Sequence, residues 1–170
     1  WVEAVDQLYN RPDSEPLQYC ILTAFAAPLF SLFGSNGGVT VYAHSQGSGY
    51  GKTTAQKVGL SAWGNPEDML LTDFTNNALL KHIGVMGNLP VVIDEMTNAP
   101  SAFVSELVYT MSTGRGKARL TQGAAMAPTL NWATLCMGSG NATLTEKLSA
   151  HRTNAQGEMM RVFEFTLTKK

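Results

Sequence analysis

Gly51-Lys52-Thr53-Thr54 closes a loop of Gln46-Gly47-Ser48-Gly49-Tyr50 that follows an apolar run and leads into a helix-like one. This order of residue types suits a chain of phosphates. Glycines let backbone N–H groups turn toward phosphate oxygens, a lysine adds charge at the terminal phosphates, and a hydroxyl in the next helix's first turn can hold magnesium. Gln46, Gly47, Ser48, Gly49, Tyr50, Gly51, Lys52, Thr53 and Thr54 are therefore the candidate ATP-binding residues. Lys52 is also a catalytic candidate and Thr53 a metal ligand. The pattern G-x-x-x-x-G-K-[ST] asks for glycine at position 46, where Gln46 stands; Gly47 can take the turn instead.

Such a loop needs an acid at the end of a neighbouring buried strand. Leu89-Pro90-Val91-Val92-Ile93 runs into Asp94-Glu95. Asp94 is placed to orient magnesium through its water shell, and Glu95 to polarise an attacking water. A polar group at the tip of another central strand completes the set: Asn141, after Ala133-Thr134-Leu135-Cys136-Met137, with Ser139 as the second choice. Between these two strands, Arg115, Lys117 and Arg119 alternate with small residues. These cations suit the phosphates of single-stranded DNA, a neighbouring subunit's ATP, or solvent alone. The segment has no interleaved aromatics, so base stacking is not indicated.

The elements that position these residues follow from periodicity and punctuation. Strands are expected at 39–43, 69–72, 89–93, 133–137 and 161–167. Helices are expected at 53–63, 76–86, 101–111 and 143–150, with Ser101 as an N-cap. Fully apolar strands separated by helices imply a parallel sheet covered on both faces. Residues 16–33 are almost uncharged and long enough to span a bilayer, but Gln18, Thr23, Pro28 and the lack of basic flanks favour a buried helix that Pro28 kinks or ends.

Composition sets the remaining bounds. At 170 residues, 44% apolar and 15% charged, the chain reads as one globular domain with a single core. Cys20 and Cys136 lie far apart in apolar surroundings and read as reduced, buried thiols of a cytoplasmic protein. Trp63 and Trp132 read as core anchors. The net charge of −1 conceals an asymmetry. Residues 1–112 carry four Lys/Arg against ten Asp/Glu, and residues 113–170 carry eight against three. Starting at Trp1, the chain reads as a piece of a longer protein.

The strand candidate at 69–72 falls between the loop and the Asp94-Glu95 strand, which fits the P-loop ATPases with an added strand and a catalytic glutamate: AAA+ proteins, RecA-like motors and superfamily 3 helicases. No guanine-reading N-K-x-D is present, so ATP rather than GTP is expected. The stretches HSQGSGYGKTTAQKVGLSAWGNP, NLPVVIDEMTNAP, MSTGRGKAR, NWATLCMGSGNATL and GEMMRVFEF occur in that order. They resemble a P-loop domain of phage and prophage primase–helicase-type replication proteins, over residues 35–167. The resemblance implies an α/β fold of the ASCE/AAA+-like P-loop NTPase kind: a three-layer sandwich on a five-stranded, mainly parallel sheet in the order 5-1-4-3-2, with residues 1–34 packing on it as a helical segment. It implies a hexameric ATPase motor of a replicative DNA helicase, with ATP, Mg2+ and single-stranded DNA as ligands, no membrane, and the cytosol of a bacterium or phage-infected host as its place. By the same resemblance, Arg161 at the start of the last strand senses the γ-phosphate, in its own subunit or the next. Two other readings stay open: an AAA+-type switch or assembly factor that does not move along DNA, and a small-molecule kinase.

Overall fold

The computed structural model describes residues 1–33, 37–118, 126–151 and 155–168. Helices α1 (Val2–Tyr9) and α2 (Glu15–Leu29) lead into strand β1 (Gly37–His44) and helix α3 (Lys52–Leu60). A short helix, α4 (Pro66–Met69), precedes β2 (Leu70–Leu71). Then come α5 (Asn76–Met86), β3 (Val91–Ile93), α6 (Ser101–Thr113), β4 (Ala133–Gly140), α7 (Leu144–Ser149), α8 (Gln156–Met159) and β5 (Val162–Thr166).

The five strands form one sheet in the order β2-β3-β4-β1-β5, and every pair is parallel. Read from the other edge, this is the order 5-1-4-3-2. Side chains alternate across it. Tyr42, Val91, Ile93 and Cys136 pack with α5, α6 and α7 on one face, while Ala43, Val92 and Met137 pack with α1, α2 and α3 on the other. Strands buried on both faces must be apolar throughout, as these are. Helix α3 lies against α2, and Gly59 permits the approach: a Cβ there would sit 2.9 Å from that of Ala24.

Several boundaries differ from expectation for local reasons. Strand β4 continues through Gly138-Ser139-Gly140 because it stays paired with β1 as far as His44. Helix α6 starts after Pro100, so Ser101 is its first residue rather than its cap. Helix α2 carries Pro28 in its last turn, ends at Leu29 and tightens into a 3-10 turn, Phe30–Phe33. By length and composition alone, residues 15–33 could cross a membrane; in the fold, Cys20, Ile21 and Ala24 are buried against the domain, while Tyr19, Leu22 and Leu29 are exposed. Trp132 is a core residue whose Nε1 donates to the Met111 carbonyl at 3.1 Å. Trp63 is 36% exposed and lies at the surface near Phe25, not in the core. Cys20 and Cys136 are free and buried, and burial pushes each thiol up to about 12.

Leu60→Ala should lower unfolding free energy by about 3 kcal/mol, the cost of a void at a fully buried site, whereas Leu22→Ala, at an exposed position of α2, should change it by less than about 0.5 kcal/mol. Equal losses in denaturant titrations would mean that the two helices are packed differently.

Candidate functional site

Parallel strands all leave the sheet at one edge, so the segments after β1, β3 and β4 face one another there. The chain leaves β1 through Ser45, which is fully buried and donates to the Gly47 carbonyl at 2.7 Å, folding the loop back. Gly51 has a φ of 83° immediately before α3, a left-handed conformation that a side chain would strain. Gln46, Ser48, Gly49 and Thr54 are exposed, and Gly47 rather than Gln46 makes the inward turn.

Lys52 opens α3 and is only 6% exposed. Its Nζ donates to Ser45 Oγ, to the Gly47 carbonyl at 3.3 Å and to Asn141 Oδ1 at 3.0 Å. The Tyr50 ring lies beside it, with its centroid 5.9 Å from Nζ. Burial lowers the pKa of the ammonium, while the carboxylates of Glu95 and Asp94 act against that fall. Next in sequence, Thr53 donates through Oγ1 to Asp94 Oδ2 at 2.8 Å. Asp94 Oδ1 accepts from Ser139 Oγ and from the Glu95 N–H at 3.1 Å. Thr53 and Asp94 thus present hard oxygen donors in contact with one another, the ligand chemistry magnesium takes.

Glu95 has φ 49° and ψ 43°, the left-handed region in a residue with a side chain. Strain of this kind is held in place by its surroundings. Asn141 Nδ2 donates to both Glu95 carboxylate oxygens, at 3.2 and 3.4 Å. Asn141 therefore bridges the lysine and the glutamate. It is held from behind: the Tyr42 hydroxyl donates to the Ala142 carbonyl at 2.9 Å, and the Glu164 carboxylate accepts from the Leu144 and Thr145 N–H groups and from Thr145 Oγ1. At Gly140 a Cβ would collide with the hydroxyls of Tyr42 and Thr97.

The structure thus brings Lys52, Thr53, Asp94, Glu95, Asn141 and Ser139 together. Ser45, Tyr42 and Glu164 were not read from the sequence. A buried serine beside a lysine has no pattern of its own, and Tyr42 and Glu164 read only as strand residues.

The arginines stand elsewhere. Helix α6 ends against the start of β1, where a Cβ on Gly37 would strike the Ser112 carbonyl. After it, the 114–116 stretch pairs with 130–132: the Gly116 N–H donates to the Leu130 carbonyl at 2.8 Å and the Trp132 N–H to the Gly114 carbonyl at 2.9 Å. Arg115 and Lys117 are therefore at the opposite edge of the sheet. Both are exposed, and Lys117 pairs with Glu106. Arg119 lies outside the described residues. Arg161 precedes β5 at that same far edge. Its Nε donates to Ser112 Oγ at 2.9 Å, another guanidinium nitrogen donates to the Gly157 carbonyl, and the group lies 5.2 Å from the Tyr109 ring centroid. Arg161 is not brought to Lys52 within one chain.

The family model described as "Domain of unknown function (DUF927)" matches residues 1–127. The chain belongs to the DUF927 family. That match takes in Lys52, Thr53, Asp94 and Glu95 and stops short of Asn141. No protein of curated function matches the DUF927 chain in sequence. Among solved structures, SCCmec type IV Cch, an active helicase, superposes with a TM-score of 0.72 and 19% identity, over 98% of this chain and 31% of that one. The DUF927 chain thus spans about a third of the helicase's length, and the likeness shows a shared fold. NtrX from Brucella abortus aligns at a TM-score of 0.48 and 10% identity, over 91% of this chain and 36% of that one.

Tyr42→Phe keeps the ring and removes the bond to Ala142. It should lower stability by about 1 kcal/mol in a denaturant titration; an unchanged midpoint would mean that the hydroxyl does not hold the Asn141 turn.

Proposed function

We propose that this DUF927 domain is a P-loop ATPase, the motor module of a phage- or prophage-type replicative DNA helicase or translocase. The observation that carries this reading is the bridge Lys52–Asn141–Glu95 beside the Thr53–Asp94 pair, built from the ends of adjacent parallel strands. The fold shared with an active helicase supports the same reading.

In this mechanism Lys52 exchanges its present acceptors for the terminal phosphate oxygens of ATP. Thr53 and Asp94 would hold magnesium, which would supply neutralising charge for the phosphates. Glu95 takes the proton of the attacking water, and Asn141, already in contact with Glu95, orients that water or the γ-phosphate. Because the carboxamide touches both Lys52 and Glu95, a phosphate that displaces Lys52 from it also changes what Glu95 meets. Arg115 and Lys117 at the far edge, together with Arg119 outside the described residues, contact the phosphates of single-stranded DNA in the pore of a hexamer, or reach the ATP of the neighbouring subunit. Arg161 acts toward a neighbour's ATP rather than its own. A second reading, an ATPase switch without movement along DNA, draws on Lys117, whose charge is already engaged by Glu106.

ATP turnover, measured with and without single-stranded DNA over a range of protein concentrations, tests the proposal. Stimulation by DNA that grows with concentration is the expected result; turnover indifferent to DNA favours the switch. Lys52→Ala should cost about 2 kcal/mol of ATP binding, roughly thirtyfold in Kd; unchanged affinity would end the phosphate-loop reading. Glu95→Gln should retain ATP and slow hydrolysis by about a hundredfold or more, and continued turnover would reassign the base. Neutralising Arg115, Lys117 and Arg119 together should weaken DNA binding and flatten its salt dependence, as seen by fluorescence anisotropy at several salt concentrations.

A further inference from the structure

Strand β1 has β4 on one side and β5 on the other, so the loop after it has two flanks. The β4 flank holds Asn141 and, beyond it, Glu95. The β5 flank holds a cleft of about 130 Å³ whose lining includes Asp13, Pro16, Leu17, Tyr50, Leu167 and Thr168. Leu167 is fixed there, its N–H donating to the His44 carbonyl at 2.7 Å at the end of β1. Leu17 closes the cleft from α2, with both of its δ-methyl carbons 3.6 Å from where a Cβ on Gly51 would sit.

We propose that this cleft receives the base of the bound nucleotide, a proposal that rests on the phosphate-loop reading above. A nucleotide whose terminal phosphates meet Lys52 and Asn141 on one flank carries its base toward the other. Proline, two leucines and a tyrosine ring offer the apolar, partly aromatic walls on which a planar base stacks. The wall is built in advance. The turn before α2 is fixed by Ser14, whose Oγ donates to the Arg11 carbonyl at 2.6 Å and to that of Tyr9, and by Gln18, whose Nε2 donates to the Tyr9 carbonyl at 2.5 Å. That turn holds Asp13 at φ 67°, an unfavourable backbone for a residue with a side chain. On this inference residues 13–17 are part of the nucleotide site and not only packing on the domain.

Calorimetric titration of the chain with ATP and, separately, with inorganic tripolyphosphate tests the inference, using wild type, Thr168→Trp and Leu17→Ser. Thr168 is exposed, so its replacement obstructs the cleft without opening the core. Wild type should bind ATP about tenfold more tightly than tripolyphosphate, as stacking of one base provides. Both variants should lose most of that preference while binding tripolyphosphate as wild type does. If wild type binds the two ligands equally, or Thr168→Trp keeps the preference, the base does not enter this cleft and the phosphate loop still stands. If wild type binds neither, the phosphate-loop reading fails and takes this inference with it.

Discussion

The ammonium of Lys52 lies out of water, and much of the domain's architecture serves to make that tolerable. A buried charge is costly unless it is paired and hydrogen-bonded. Here the partners come from separate parts of the chain: Ser45 and Gly47 from the loop, Asn141 from beyond β4, with Glu95 and Asp94 supplying negative charge from β3. Only neighbouring parallel strands deliver all of these to one place. The covering of both sheet faces by helices, and the close contact of α2 with α3 at Gly59, hold those strands and the start of α3 in register.

Much of this was legible in the sequence because it is written locally. Glycines before a lysine and threonine, and two acids after a run of Leu, Pro, Val and Ile, declare themselves by residue type and spacing. The strand order was legible through resemblance and not through periodicity, since an apolar strand does not name its neighbour. The support behind Asn141 was hidden for the same reason. Glu164 reaches Leu144 and Thr145 from another strand, and Tyr42 reaches Ala142 across 100 residues of sequence, so neither pairing leaves a periodic trace. The expected strand ends at Met137, before Gly138-Ser139-Gly140, because glycine usually marks a turn. Its pairing with β1 overrides that propensity, and Met96 and Tyr42 occupy the space that side chains there would need. Trp63 misled in the opposite sense: its bulk suggests full burial, yet just past the last turn of α3 about a third of it stays exposed beside Phe25.

The charge asymmetry in the sequence acquires a spatial meaning in the fold. The acids Asp94 and Glu95 gather where the strands end, while Arg115, Lys117 and Arg161 gather where they begin, separated by the length of an eight-residue strand, roughly 23 Å.

Helix α6 starts close to the acids and finishes at the cations. Its thirteen residues make a rod of about 20 Å, from Pro100, a few residues past Glu95, to Gly114, the residue before Arg115. Hydrogen-bonded along its axis and buried along one side, such a rod does not shorten under load. The left-handed Gly114 ends that rod, and the pairing of 114–116 with 130–132 fixes the backbone of Arg115 directly beyond it.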